Sequence, residues 1–131
     1  MRINRELSLN TVGDIIDRRN LFTFTKDEFT WDDQHKITFI TDIIFNKPIG
    51  DFSYRHTINE LDGRSIYTVI DGNERINAVL DFYNNNILIP KDYLNIILPD
   101  ENITTDCYFN DLPKRVRNWF INYKYPVNFT Y

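Results

Sequence analysis

The chain has 131 residues, with 15 Lys plus Arg against 19 Asp plus Glu, for a net charge of −4. That length suits a single domain over residues 1–131, able to bury roughly two-thirds of its unfolded surface without metal or disulfide staples, rather than a multidomain machine. The acidic balance argues against a protein that coats DNA by neutralising phosphates.

A short extended piece at the N-terminus leads to Asn10 or Thr11, either of which can cap a helix with Val12, Ile15 and Ile16 on one face, ending near Asn20. Alternation over Leu21 to Thr25 predicts a short strand. A second helix follows Trp31, capped by Asp32 or Asp33, with Ile37, Ile40, Ile43 and Ile44 as its apolar stripe and Lys47-Pro48 as its stop. From Phe52, the residues Phe52, Tyr54, His56 and Ile58 fall on one side of a strand. Asp62-Gly63 is a hairpin signal, and Ser65 to Ile70 returns.

That returning strand runs directly into Asp71-Gly72-Asn73 and a helix with Ile76, Val79, Leu80 and Tyr83 on one face. Asn84-Asn85-Asn86 ends it, and Ile87 to Ile89 reads as a further short strand. The stretch from Pro90 to Tyr108 has no clean period. Asp111 is expected to cap a helix with Pro113 in its first turn and Leu112, Val116, Trp119, Phe120 and Tyr123 as the buried face. Val127, Phe129 and Tyr131 alternate as a closing strand after Pro126. Helices and strands are intermixed, so the expected class is α+β, a mixed α/β arrangement. No internal repeat or low-complexity linker interrupts it.

Cys107 is the one cysteine, no signal peptide is legible at the N-terminus, and no apolar run approaches the roughly 20 residues that span a bilayer. These features predict a cytoplasmic setting without a membrane partner. Lys114, Arg115, Arg117 and Lys124 form one local basic stretch, whose plainer reading is the solvated side of a helix. Walker-type loops, G-x-G-x-x-G and zinc-ligand spacings are absent, so no metal site is expected from the residues themselves. His35 and His56 lie in different elements, and nothing supports a Ser-His-Asp arrangement.

The informative stretch is Asp71-Gly72-Asn73-Glu74-Arg75. Gly72 permits close approach of a ligand to the backbone, and the helix after it offers unpaired N–H groups to a phosphate. Arg75, one turn in, has the fork to clamp that phosphate, and Asp71 is placed to meet a ribose or a metal. A purely structural account of the same residues makes Asp71 the helix cap, Gly72 the turn and Glu74 the second half of a capping box. That account leaves Arg75 without a role.

This stretch resembles the Asp-Gly-Gln-Gln-Arg hallmark of the N-terminal domain of GmrSD-type modification-dependent restriction enzymes, within the ParB and sulfiredoxin-like superfamily. Trp31-Asp32-Asp33 resembles the tryptophan before that family's long first helix, and Ile43-Ile44-Phe45-Asn46-Lys47-Pro48-Ile49 resembles its close. Phe109-Asn110-Asp111-Leu112-Pro113 is similar to the start of a later helix, and Asn122-Tyr123-Lys124-Tyr125-Pro126-Val127 to the strand after it. The resemblance covers nearly all of the chain.

It implies a ParB/sulfiredoxin-like small mixed sheet with packed helices and a nucleotide pocket formed by Asp71, Gly72, Asn73, Glu74 and Arg75, taking an NTP with Mg. Family members couple NTP hydrolysis to restriction of modified phage DNA; the same turn binds CTP in ParB proteins and carries the reactive cysteine in sulfiredoxin. Here that cysteine would fall at Asn73, which excludes sulfiredoxin chemistry. Lys26 and Asp27 stand where the family has a Gln-Arg pair, so Lys26 offers a point charge in place of arginine's fork. Glu74 adds a negative charge where phosphates would arrive.

The resemblance also implies a nuclease domain beyond Tyr131 that this sequence does not contain, so binding is expected over cutting and NTPase activity would be weak. Two readings follow. The first is a stand-alone ParB-like nucleotide-binding domain related to DNA restriction or phage defence, partnered by a nuclease subunit and with DNA contact left open. The second is a non-catalytic phage or mobile-element protein with an anti-defence role, modulating a host defence or DNA-processing complex through surfaces that include Trp119, Phe129 and Tyr131.

Overall fold

A computed structural model describes residues 10–25 and 29–131. Thr11 caps the first helix, α1 (Val12–Asp17), by a reciprocal arrangement: its Oγ1 accepts the Asp14 N–H at 3.1 Å while the Asp14 carboxylate accepts the Thr11 N–H at 3.1 Å. α1 is shorter than its pattern predicts. It gives way at Arg18 to a 3₁₀ turn, Arg19–Leu21, which leads into strand β1 (Phe22–Phe24).

Asp32 is the cap of α2 (Asp33–Ile44), accepting the His35 N–H at 2.9 Å. The predicted isoleucine stripe is buried, joined by Phe39. α2 ends at Ile44, before Pro48, because Asn46 takes a left-handed conformation with φ of 60°.

Strands β2 (Phe52–Ile58) and β3 (Ser65–Asp71) form an antiparallel hairpin at the centre of a four-stranded sheet of order β1-β3-β2-β4. Both outer strands run parallel to their neighbours, β1 beside β3 and β4 (Val127–Thr130) beside β2. A parallel neighbour demands a crossover, and the helices supply it. Tyr131 lies beyond the last strand residue and is exposed.

α3 (Asn73–Tyr83) springs straight from β3. It packs against α1, α2 and the turn at Phe109–Asp111, so it is covered on several sides. For that reason Ala78 and Phe82 are buried with Ile76 and Val79, while Leu80 and Tyr83 stay half-buried at its margin. Lys36 of α2 reaches Asp81 of α3 at 2.8 Å across the joint.

Residues 87–89 do not form the expected strand. Ile89 makes a single bridge to Cys107, with N–H···O bonds of 2.8 and 2.9 Å. The unreadable stretch holds α4 (Lys91–Ile97) and a 3₁₀ turn at Pro99–Glu101. α4 has one fully covered residue, Leu94, which is too few for a period to show.

α5 (Lys114–Ile121) is entered through Pro113, not capped by Asp111. Asp111 instead closes the preceding 3₁₀ turn by accepting the Tyr108 N–H at 3.0 Å. Leu112, Val116, Phe120 and Tyr123 are buried as the pattern predicts, but Trp119 is 41% exposed. Lys114, Arg115 and Lys124 face solvent and Arg117 is half-buried, so the basic stretch is largely a solvated face.

The class is α+β, as the mixed pattern of elements predicts. Two aromatic groups fill much of the core: Phe52, Tyr54, Tyr67 and Tyr125 against the sheet, and Phe82, Phe109 and Phe120 among the helices. Burial pushes the Tyr54 and Tyr125 phenols far above their ordinary values, so the pair, with oxygens 3.3 Å apart, stays neutral. Among the described residues no helix is long and apolar enough to cross a membrane.

Candidate site at the start of α3

Asp71 is the last residue of β3, and Gly72 turns the chain into α3 with a φ of +118°. A side chain is disfavoured there twice over. The backbone conformation is one that L-residues rarely adopt, and a Cβ would lie 2.9 Å from the Phe52 ring. The turn is thus pressed flat on a core aromatic.

The capping box that Asp71 and Glu74 suggest does not form. Among the described residues no side chain caps α3. Asp71 accepts from the Arg75 guanidinium at 3.2 Å, and Glu74 reaches away to the segment before α2. There its carboxylate accepts the Thr30 N–H at 2.6 Å, the Thr30 hydroxyl at 2.7 Å and the Trp31 N–H at 3.4 Å. The N-terminal N–H groups of α3 have no side-chain acceptor among the described residues, and they carry the positive end of the helix dipole.

Arg75 acquires the role that local sequence could not assign. One guanidinium nitrogen donates to the Ile49 carbonyl at 2.8 Å, and the group lies 4.4 Å from the centre of the Phe52 ring. The side chain is only 16% exposed. Gly50, at φ +87°, admits this contact, since a Cβ there would fall 2.9 Å from the same nitrogen. Arg75 therefore ties the 49–50 turn to the start of α3.

Asn73 donates to the Thr25 hydroxyl at 3.2 Å, and Thr25 donates in turn to the Val69 carbonyl at 3.1 Å. The Asn73 side-chain oxygen is buried and has no partner among the described residues. Asp71, Gly72, Asn73, Glu74 and Arg75 all line one depression of about 290 Å³, closed on its far side by Thr30 and Trp31. Lys26, expected at the same site, lies outside the described residues, as does Asp27.

No family model, curated protein or solved structure matches the chain.

Burial works against ionisation of Glu74, but the Thr30 and Trp31 donors and the Lys36 charge outweigh it and hold the carboxyl below its ordinary value. A carboxyl lowered in the folded state contributes stability above its unfolded value, and that contribution is lost as pH falls through the folded value. Glu74→Gln should therefore cost about 1 kcal/mol at neutral pH, a modest figure because the residue is only half-buried and water screens its charge. The gap between variant and parent should close in acid below the ordinary value of 4.5. Urea unfolding of both proteins across pH checks this; a gap that persists in acid would show that shape, not charge, is responsible.

The other titratable candidates lie apart from this turn. His35 sits on Asp32 at 2.8 Å, and His56 on the Ser65 hydroxyl at 3.0 Å with its ring 4.8 Å from Tyr67. Burial pushes the Cys107 thiol up, with Asp111 and Asp106 adding to the effect, which keeps it protonated and weakly nucleophilic. Among the described residues no group of three His, Cys, Asp or Glu is gathered to hold a metal.

Sequence reasoning missed Thr30 as the partner of Glu74, and Ile49 and Phe52 as the partners of Arg75. Pro48 and Gly50, flanking Ile49, were the one available signal, since both residue types punctuate regular structure.

Proposed function

We propose that the chain is a ParB-like nucleotide-binding domain related to DNA restriction or defence systems, as its resemblance to the GmrSD-type N-terminal domain implies, and that it binds rather than cuts. The observation that carries this reading is the start of α3, uncapped among the described residues and opening into the depression beside Trp31. Backbone N–H groups there suit a phosphate, and the indole offers a surface against which a base can lie. The depression takes the phosphates of a nucleotide and leaves the base at its rim.

Binding is favoured over turnover because both rim carboxylates are engaged, Asp71 by Arg75 and Glu74 by Thr30. Asp71 is 69% exposed and is the carboxylate that a phosphate-bound magnesium would meet. A cation held there by Asp71 would offset the negative charge of Glu74.

A thermal-shift screen with ATP, CTP, GTP and UTP, each with magnesium, tests the proposal. A ligand at about 100 times its Kd adds roughly 2.7 kcal/mol, which raises the midpoint by several degrees. Asn73→Asp, which adds a negative charge at the site while leaving the Arg75 contacts in place, should remove the shift. No shift with any of the four nucleotides would sink the nucleotide reading. The second reading, a non-catalytic phage or mobile-element protein acting on a host defence complex, would then stand. It draws support from the exposure of Trp119 and Tyr131, and from β4 lying at the sheet edge.

A further inference from the structure

A second concavity, separate from the Arg75 turn, lies between α4 with its Pro99–Glu101 turn and α5, over the C-terminal end of α2. Both α4 and α5 pack on α2, and the cleft is the space left between them. Its volume is about 740 Å³, well over twice that of the α3 depression. This is the size range of small-molecule sites, roughly 300–1,000 Å³. Its floor is apolar, formed by Ile43, Ile44, Leu98 and Tyr123, all buried core residues.

The α5 wall is chemically unlike an ordinary helix surface. Trp119 stands 41% exposed in the cleft, with the Arg115 guanidinium 4.9 Å from its ring centre. Lys124 lines the same cleft. Among the described residues neither Arg115 nor Lys124 has an ion pair, and the Asn118 and Asn122 amides have no side-chain hydrogen bond. An indole held in place by a guanidinium, with a second unpaired cation and two free amides around it, is a recognition surface for a ring bearing an acidic group. Asp100 and Glu101 line the opposite, α4 side, where they would repel an anion and so orient it toward Arg115 and Lys124.

We propose that this cleft binds a flat aromatic ligand carrying a negatively charged group, with its ring on Trp119 and its anion between Arg115 and Lys124. The site does not depend on the nucleotide reading of the α3 turn, and no residue is shared between the two.

Two fluorescent probes that differ by one charge test it: anilinonaphthalene sulfonate and the uncharged N-phenylnaphthylamine. The sulfonate should bind the folded protein at one site and about tenfold more tightly than the neutral probe. Trp119→Ala should weaken both probes by about tenfold or more, and Trp119→Phe should retain most of the binding, since the ring is kept. Replacing Arg115 and Lys124 together with alanine should erase the preference for the sulfonate and spare the neutral probe. Asp100→Asn with Glu101→Gln should tighten the sulfonate about twofold.

Asn73→Asp should leave both probes unchanged, which separates this cleft from the α3 depression. Far-ultraviolet circular dichroism and the unfolding midpoint of each variant confirm that the probes report a native surface. Equal affinity of the two probes for the parent protein, or binding indifferent to Trp119→Ala, would overturn the proposal.

Discussion

Gly72→Ala should lower the stability of the protein by about 2–4 kcal/mol, the sum of placing an L-residue in a left-handed conformation and of forcing a methyl into a packed core. The φ of +118° sets the first cost, and the approach of 2.9 Å to the Phe52 ring sets the second. Phe52 has little room to yield, because it is fully buried, packs on Tyr125 at 4.3 Å between ring centres and carries the Arg75 guanidinium. Gly63→Ala is the internal control. That glycine has a φ of +72° but nothing within 4 Å of an added Cβ, so it should lose only the backbone part, about 1 kcal/mol. Urea unfolding with unchanged slope reads both. Equal losses in the two variants would show that the Phe52 contact counts for nothing.

Arg75→Ala should cost about 2–4 kcal/mol, with the chain still folded at low temperature. The loss combines the charged hydrogen bond to the Ile49 carbonyl, the stacking over Phe52 and the partner left for Asp71. Arg75→Lys should recover less than half of it. An ammonium on a flexible stem keeps the charge but cannot hold a carbonyl and a carboxylate together while lying flat on a ring. A double-mutant cycle with Phe52→Leu isolates the stacking as a coupling of about 0.5–2 kcal/mol. A fully stable Arg75→Ala variant would show that the guanidinium is free for a ligand and that its contacts here are incidental.

Both variants also bear on the proposed nucleotide site, since Gly72 and Arg75 each touch Phe52. Arg75 is at once part of the lining of the depression and the anchor of the 49–50 turn. A phosphate that recruits its remaining donors would find a guanidinium already held in place by Phe52 and Ile49, which lowers the entropy cost of binding.

Helix positions were legible wherever one face alone is covered. The isoleucines of α2 and the Val116 and Phe120 pair of α5 recur at helical spacing and are buried accordingly. Where an element is short or covered on several sides the period fails. α4 buries Leu94 alone, and α3 buries Ala78 and Phe82 in place of the margin residues Leu80 and Tyr83. The expected strand at residues 87–89 reduces to one bridge because, among the described residues, only Ile89 of that segment finds a partner.

Local period and backbone freedom are enough to dictate the α+β class and the strand–glycine–helix junction at Asp71-Gly72-Asn73, with Glu74 and Arg75 in the first turn of the helix. What the residues at this junction do depends on contacts distant in sequence. Glu74 is drawn to Thr30, 44 positions away, and Arg75 to Ile49, 26 positions away, and these long-range acceptors replace the capping box that local chemistry favours. Trp119 carries the same lesson: its spacing matches the buried face of α5, but the gap between α4 and α5 leaves the indole open. Whether an apolar position is covered depends on which neighbour arrives, and that is set by the packing of the whole chain.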